Sequence, residues 1–283
     1  MVLKFWVLLG LVGLKSQLKM EKNPAKTSWA HGVNDRAFLK SSLMGDVDML
    51  EADIVMGRLT DGKENELPIM AHPPKQISDL SLMEFLTVVD DFNRDNAFKK
   101  GIKLDFKSID AFEAAIRSEI FINITSEADY PVWLNADILE GPNAPSYTKP
   151  VDAARFLKGS KLIPNAMLSL GWTTGFNNTH NSGYTFPQIE EMLYTIKQNE
   201  VNQPITFAVR AGLVAESQDQ MTLLLRNNNH TLTIWSGVQD DGFDVGKLNE
   251  ILDKVEKGRI YVDVPQKLRS RLNIVNGTNN IKL

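Results

Sequence analysis

The stretch MLEADIVMGRLTDGKENELPIMAH, residues 49–72, gathers the residue types in this chain that could do chemistry. In MLEADIV, Glu51 and Asp53 stand two apart among apolar neighbours. Side chains alternate faces along a strand, so both carboxylates point to one side. Facing inward they repel each other, and a divalent cation is the simplest partner that relieves the repulsion. A turn-like Thr60-Asp61-Gly62 follows, and a short strand then ends in His72, an imidazole able to move protons near neutral pH. The set reads as a metal-assisted acid–base site.

Elements that could hold such a site alternate along the rest of the chain. Strand candidates are Ser28–Val33, Met49–Met56, Pro68–His72, Gly101–Lys107, Pro131–Leu139, Ala166–Trp172, Ile205–Arg210, Thr231–Trp235 and Arg259–Val264. Helix-periodic runs lie between most of them. One opens with Ser81 and Glu84 at capping-box spacing, and another repeats the spacing with Ser217 and Gln220. Phe186–Lys197 and Val245–Val255 are also helix-periodic. Strands alternating with helices imply a parallel sheet. The link GRLTDGKENEL before Pro68 has no helical pattern, and a parallel crossover needs about a dozen residues, usually with a helix. Pro68–His72 is therefore expected to fold back above the ring. Eight strands remain, and the expected fold is a single TIM-type (β/α)8 barrel over residues 28–283, with a doubly wound open sheet as the alternative.

A barrel places chemistry at the carboxyl ends of its strands. His31 ends the first strand, Arg210 the sixth and Trp235 the seventh. Asp105 and Lys107 share a face of the third; Trp133, Asn135 and Asp137 share a face of the fourth. Glu51, Asp53 and Asp105 are hard oxygen donors suited to one Mg²⁺ or Ca²⁺. Asp105 and Lys107 could instead pair with each other inside the barrel. His180 and His230 lie in loop-like sequence and are expected to be solvated, and Asp263 to be a structural residue closing the last strand.

Bulk properties set wider bounds. The 283 residues, 43% hydrophobic and 23% charged, describe an ordinary globular protein. A net charge of −4 without a basic block gives no reason to expect a nucleic-acid partner. The absence of cysteine excludes a disulfide scaffold and thiolate chemistry. Residues 1–20 carry Lys4 and an apolar run Phe5–Leu14, too short to span a bilayer but suited to a signal peptide. The expected location is secreted, without a transmembrane span in the mature chain; anchoring by this hydrophobic segment is the alternative. Sequons at Asn123, Asn177, Asn229 and Asn276 fit an exported glycoprotein, although a chain this rich in Asn and Thr produces several by chance.

LDFKS, VWLNADIL, LSLGWTTG and WAHGVN together resemble the menorin family over nearly the whole chain after the leader. The layout is also similar to the glycerophosphodiester phosphodiesterase and sphingomyelinase D-like barrels. Those families carry a His after strand one, a Glu-x-Asp metal pair, a T-x-D-G-like turn leading to a second His, a third acidic ligand, a late Trp and a closing T-D-x-P. The matching residues here are His31, Glu51 and Asp53, Thr60-Asp61-Gly62 then His72, Asp105 with Lys107, Trp235, and Val262-Asp263-Val264-Pro265. The resemblance implies a metal-dependent phosphodiesterase in which His31 and His72 are the acid–base pair. Glu51, Asp53 and Asp105 would hold the cation, and Lys107, Arg210, Asn135 and Trp235 would contact the substrate. The implied substrate is a small glycerol-derived phosphodiester or a lysophospholipid. The chain departs from the phosphodiesterase pattern after each His, with Gly32-Val33-Asn34 in place of Arg-Gly and Pro73 in place of Asp. Those departures favour a second reading, an extracellular menorin-type adhesion protein that uses the barrel to bind a protein partner.

Overall fold

The computed structural model describes residues 23–60, 62, 65–176, 182–256 and 258–274. The leader-like residues 1–20, Asp61 of the turn, His180, and the sequons at Asn177 and Asn276 lie outside the described residues.

Among the described residues there are ten strands: β1 (Trp29–Ala30), β2 (Met49–Leu59), β3 (Leu67–Met70), β4 (Ile77–Ser78), β5 (Gly101–Phe106), β6 (Val132–Glu140), β7 (Met167–Thr173), β8 (Ile205–Arg210), β9 (His230–Trp235) and β10 (Ile260–Asp263). Eight run parallel in the order β1-β2-β5-β6-β7-β8-β9-β10, forming a nearly closed barrel of the TIM type. The other two form the excursion expected before His72. β2 is long enough to rise out of the ring, and its upper half pairs antiparallel with β3, from Ile54 opposite Met70 to Gly57 opposite Leu67. The two-residue β4, too short to leave a sequence pattern, pairs with Arg58 and Leu59. Gly57 permits this flap: a Cβ there would lie 2.5 Å from both the Gln76 carbonyl oxygen and Ile69 Cδ1.

The helices are α1 (Arg36–Met44), α2 (Leu82–Asp95), α3 (Ile109–Ile116), α4 (Glu119–Glu127), α5 (Ala153–Ser160), α6 (Phe186–Gln198), α7 (Ala211–Val214), α8 (Gln218–Leu224), α9 (Val245–Lys254) and α10 (Gln266–Arg269). Most start on a capping side chain, such as Asp35 for α1 and Ser81 for α2, each of the kind that contributes about 1 kcal/mol. Ser217 does not cap α8 as the spacing predicts. Its hydroxyl donates to the Leu213 carbonyl (2.7 Å) and accepts from the buried Tyr184 amide (2.7 Å). His230 also differs from expectation. It opens β9, is buried, bonds Leu224 O through Nδ1 (3.0 Å) and packs edge-on against Phe207.

Alternation along each strand divides the two faces. On β2, Leu50, Ala52 and Ile54 turn outward to the helices and are fully buried there, while Glu51 and Asp53 turn into the barrel. Phe106 of β5 likewise packs on Phe112 of α3, ring centroids 5.0 Å apart, with Phe156 of α5 behind them. Inside, Trp29, Trp133 and Tyr261 meet edge-to-face at 5.4 and 4.7 Å low in the barrel, at the amino ends of their strands. Among the described residues β1 and β10 share no ladder. Arg269 joins that seam instead, donating from Nη1 to Val262 O (2.8 Å) and from Nη2 to Ala25 O (2.8 Å).

Candidate functional site

A cavity of about 190 Å³ opens at the carboxyl ends of the strands. Its lining includes His31, Glu51, Asp53, His72, Asp105, Lys107, Asn135 and Trp235, eight of the nine residues that the resemblance assigns to the site, together with Lys103, Asp137 and Ala208. Register explains the meeting: Asp53 on β2 lies beside Asp105 on β5, and Asp105 beside Asn135 on β6. A larger cleft of about 340 Å³, near Ala25 and Ile260, sits at the opposite end of the barrel.

The carboxylates of Glu51, Asp53 and Asp105 each offer an oxygen within 4.8 Å of the others. Two oxygens on one ion cannot be farther apart than twice the metal–oxygen bond, roughly 4.2–5.0 Å for Mg²⁺ or Ca²⁺. The three carboxylates could therefore hold a metal ion. Each carboxylate is also oriented by a hydrogen bond. Gly32 N–H donates to Glu51 Oε2 (2.8 Å), from a backbone with φ +73° that glycine adopts readily. Asn34 binds Asp53 twice, from Nδ2 to Oδ2 (2.8 Å) and through Oδ1 to the Asp53 amide (2.9 Å). Ser169 donates to Asn135 Oδ1 (2.6 Å), and Asn135 Nδ2 donates to Asp105 Oδ1 (2.6 Å). Asn135 thus holds a carboxylate. The residues that depart from the phosphodiesterase pattern after His31 hold the acidic pair, a role no local spacing reveals.

Lys107 reaches between two of these carboxylates, 2.8 Å from Asp53 Oδ1 and 2.5 Å from Asp105 Oδ2. Burial works against its charge, but Asp105 and Asp53 outweigh burial and hold the ammonium well above the usual lysine value. Burial likewise opposes the charge on Asp53, yet Lys107 and Asn34 bring its carboxyl below the ordinary range. Glu51, with no lysine in contact, is pushed up to about 7, first by burial and then by Asp53. Asp137 is also pushed up to about 7, by burial and by Asp105.

The two imidazoles differ in their partners. His31 Nδ1 lies 3.1 Å from Asp263 Oδ2 and 3.5 Å from Glu51 Oε2. Glu51 is the largest influence on His31, and with Asp263 it outweighs burial to raise the ring to about 9. Asp263, read from sequence as a closing residue, thereby becomes the orienting partner of His31. His72 Nδ1 lies 2.6 Å from the Pro73 carbonyl oxygen, which can only accept. The ring therefore carries a proton on Nδ1 and, when neutral, a lone pair on Nε2.

Of the nine residues that the resemblance assigns, Arg210 is the one that does not line the cavity. Its guanidinium forms a two-point pair with Asp240, Nε to Oδ2 at 2.8 Å and Nη2 to Oδ1 at 2.7 Å. It lies 5.1 Å from the ring centroids of both Phe176 and Trp235. Arg210 backs the Trp235 wall; a strand-end position in sequence does not disclose a counter-ion thirty residues away.

Residues 23–269 match the sequence model of a family described as Menorin N-terminal domain. Protein FAM151B of Homo sapiens is 40% identical over 252 residues, which cover 88% of this chain and 86% of that protein. On both the family match and this relationship, the chain belongs to the menorin family.

Proposed function

We propose that this protein is a metal-dependent phosphodiesterase acting on a glycerol- or phospholipid-derived phosphodiester. The observation that carries the reading is the convergence of two histidines and three metal-compatible carboxylates on one cavity at the barrel mouth. Glu51, Asp53 and Asp105 would hold one Mg²⁺ or Ca²⁺. When bound, that ion supplies charge neutralisation at a phosphoryl oxygen. The Asp263 carboxylate on His31 Nδ1 favours an imidazolium, which suits His31 to protonate the leaving oxygen. His72, held by a neutral carbonyl, presents Nε2 to take the proton of the attacking hydroxyl. Lys107, released from Asp53 and Asp105 when a cation neutralises them, would hold a non-bridging oxygen.

The test is a panel of lysophospholipids and glycerophosphodiesters with Mg²⁺ or Ca²⁺. General acid–base groups contribute about 10²–10⁴-fold, so His31→Ala and His72→Ala should each lower turnover by that order with fold and metal binding intact. Unchanged turnover in both variants rejects the assignment.

A second reading has one observation behind it: Lys107 already neutralises Asp53 and Asp105 without a metal, as a pure binding scaffold would need. Here the cavity mouth would dock an extracellular protein partner. Under both readings the leader-like residues 1–20 support export. No helix among the described residues is long and apolar enough to cross a membrane. Thermal stabilisation by added Mg²⁺ or Ca²⁺ that is lost in Glu51→Gln separates the two readings in favour of the first.

A further inference from the structure

A second hollow adjoins the cavity at the barrel mouth. It has a volume of about 460 Å³ and lies between the loop after β1, at Asn34 and Asp35, and the flap, at β3, β4 and the turn that joins them. His72 lines both hollows, so the groove continues the cavity past that imidazole. The two differ in scale. At about 30 Å³ per water, the inner cavity of about 190 Å³ has room for roughly six waters, enough for the reacting groups of a phosphodiester and little else. The groove is of the size that holds a whole small molecule.

The polar side chains along the groove already serve the fold. Asp35 accepts from the Phe38 amide at the start of α1 (2.7 Å), and Asp79 from the Arg36 amide (3.2 Å). The Ser78 hydroxyl donates to the Asn34 carbonyl and accepts from the Leu80 amide, both at 3.1 Å, while the Asn34 side chain is spent on Asp53. The rest of the lining is largely apolar: Met70 and Ala71 from the end of β3, Pro73 and Pro74 from the turn, and Ile77 from β4. Ile77 is 64% exposed. Behind them the flap has an apolar cluster of its own, Val55, Ile69 and Ala71 with Leu59 and Leu67 packed on it, separate from the barrel core.

A guest rich in amides or hydroxyls would give up water here for side chains that are already bonded, whereas a hydrocarbon gains by leaving water. The shared His72 ties that hydrocarbon to the molecule whose phosphate sits in the cavity. We propose that the groove holds the acyl or alkyl chain of a single-chain lipid phosphodiester, so that a lysophospholipid is preferred over a deacylated glycerophosphodiester, which would leave the groove empty. This rests on reading the cavity as a phosphodiester site.

The experiment is calorimetric titration of the wild-type full chain, with Mg²⁺ or Ca²⁺ present, against methyl, butyl, hexyl and octyl phosphate, monoesters that a phosphodiesterase does not turn over. Full burial of a methylene is worth about fourfold in affinity, and half-burial in an open groove about twofold. Octyl phosphate should therefore bind roughly a hundredfold more tightly than methyl phosphate. Ile77→Ser, at an exposed position the fold tolerates, should weaken octyl phosphate about fivefold, and Ile77→Leu should not. Methyl phosphate, which carries no chain for the groove, should bind all three proteins alike. Equal affinities along the series, a gain that Ile77→Ser leaves intact, or no binding of octyl phosphate overturns the groove. Hydrolysis is scored separately. Turnover of glycerophosphocholine and lysophosphatidylcholine at equal kcat/KM rejects the groove and keeps the phosphodiesterase reading; chain-length-dependent binding with no turnover of either rejects that reading and leaves the groove standing.

Discussion

Lys107→Met removes the ammonium that lies between Asp53 and Asp105, and its effect can be worked from the distances. At 2.8 Å and an effective dielectric of about 20, the gross attraction to Asp53 is about 6 kcal/mol, most of which desolvation cancels in the intact pair. Removing one partner is different, because the two carboxylates, 8% and 14% exposed, stay buried and now repel each other. Breaking such a pair costs about 3–5 kcal/mol. With roughly 2–4 °C lost per kcal/mol in a domain of this size, the chelated variant should melt roughly 6–20 °C below wild type. A divalent cation should restore much of the loss, about 2.7 kcal/mol at a hundred times its dissociation constant. It should stabilise wild type less, because there it must displace the ammonium. Scanning calorimetry of both proteins in chelator and in Mg²⁺ or Ca²⁺ gives the comparison. Melting of the chelated variant at the wild-type temperature, or equal increments on adding metal, would refute the argument that Lys107 stands where the cation binds.

Metal-free stability should fall as pH rises through the neutral range. The folded state keeps protons that the unfolded chain has released, so the His31 contribution is complete below its usual 6.5 and gone by about 9, and that of Glu51 is complete below 4.5 and gone by about 7. Urea midpoints in chelator across that range should show this decline, and Asp263→Asn should shrink its upper limb; a flat profile contradicts it. Arg210→Ala should cost about 3 kcal/mol by stranding buried Asp240, yet leave metal affinity unchanged, as denaturation and metal titration would show. Gly57→Ala should cost about 1–3 kcal/mol, because the new Cβ meets the Gln76 carbonyl, and should shift the NMR resonances of His72 at the end of the displaced flap.

The barrel was legible because its signals are local and repeated: strands of alternating or apolar pattern, helices between them, and one link too short for a crossover. The E-x-D pair and His72 were legible for the same reason, since spacing alone sets their faces. What sequence hid depends on distant partners. Asn34 reads as an ordinary loop polar residue until β1 and β2 bring it against Asp53. Lys103 reads as a strand lysine, and Asp137 as one more residue of a polar face, until the barrel curves their neighbours around them. Ser217 has the spacing of a cap, but tertiary acceptors took its hydroxyl.

The length of β2 has a mechanical consequence. One continuous strand from Met49 to Leu59 carries Glu51 and Asp53 in the ring and then serves as the backbone of the flap that presents His72. Hydrogen bonds on both edges, to β5 and β1 below and to β3 and β4 above, make it a stiff rod. The backbone that presents His72 is tied directly to the acidic pair, because the Ala71 amide donates to the Asp53 carbonyl (3.0 Å), so a shift of β2 carries both. The opposite bank is held separately, with Arg210 beside the Trp235 ring and pinned by its two-point pair with Asp240.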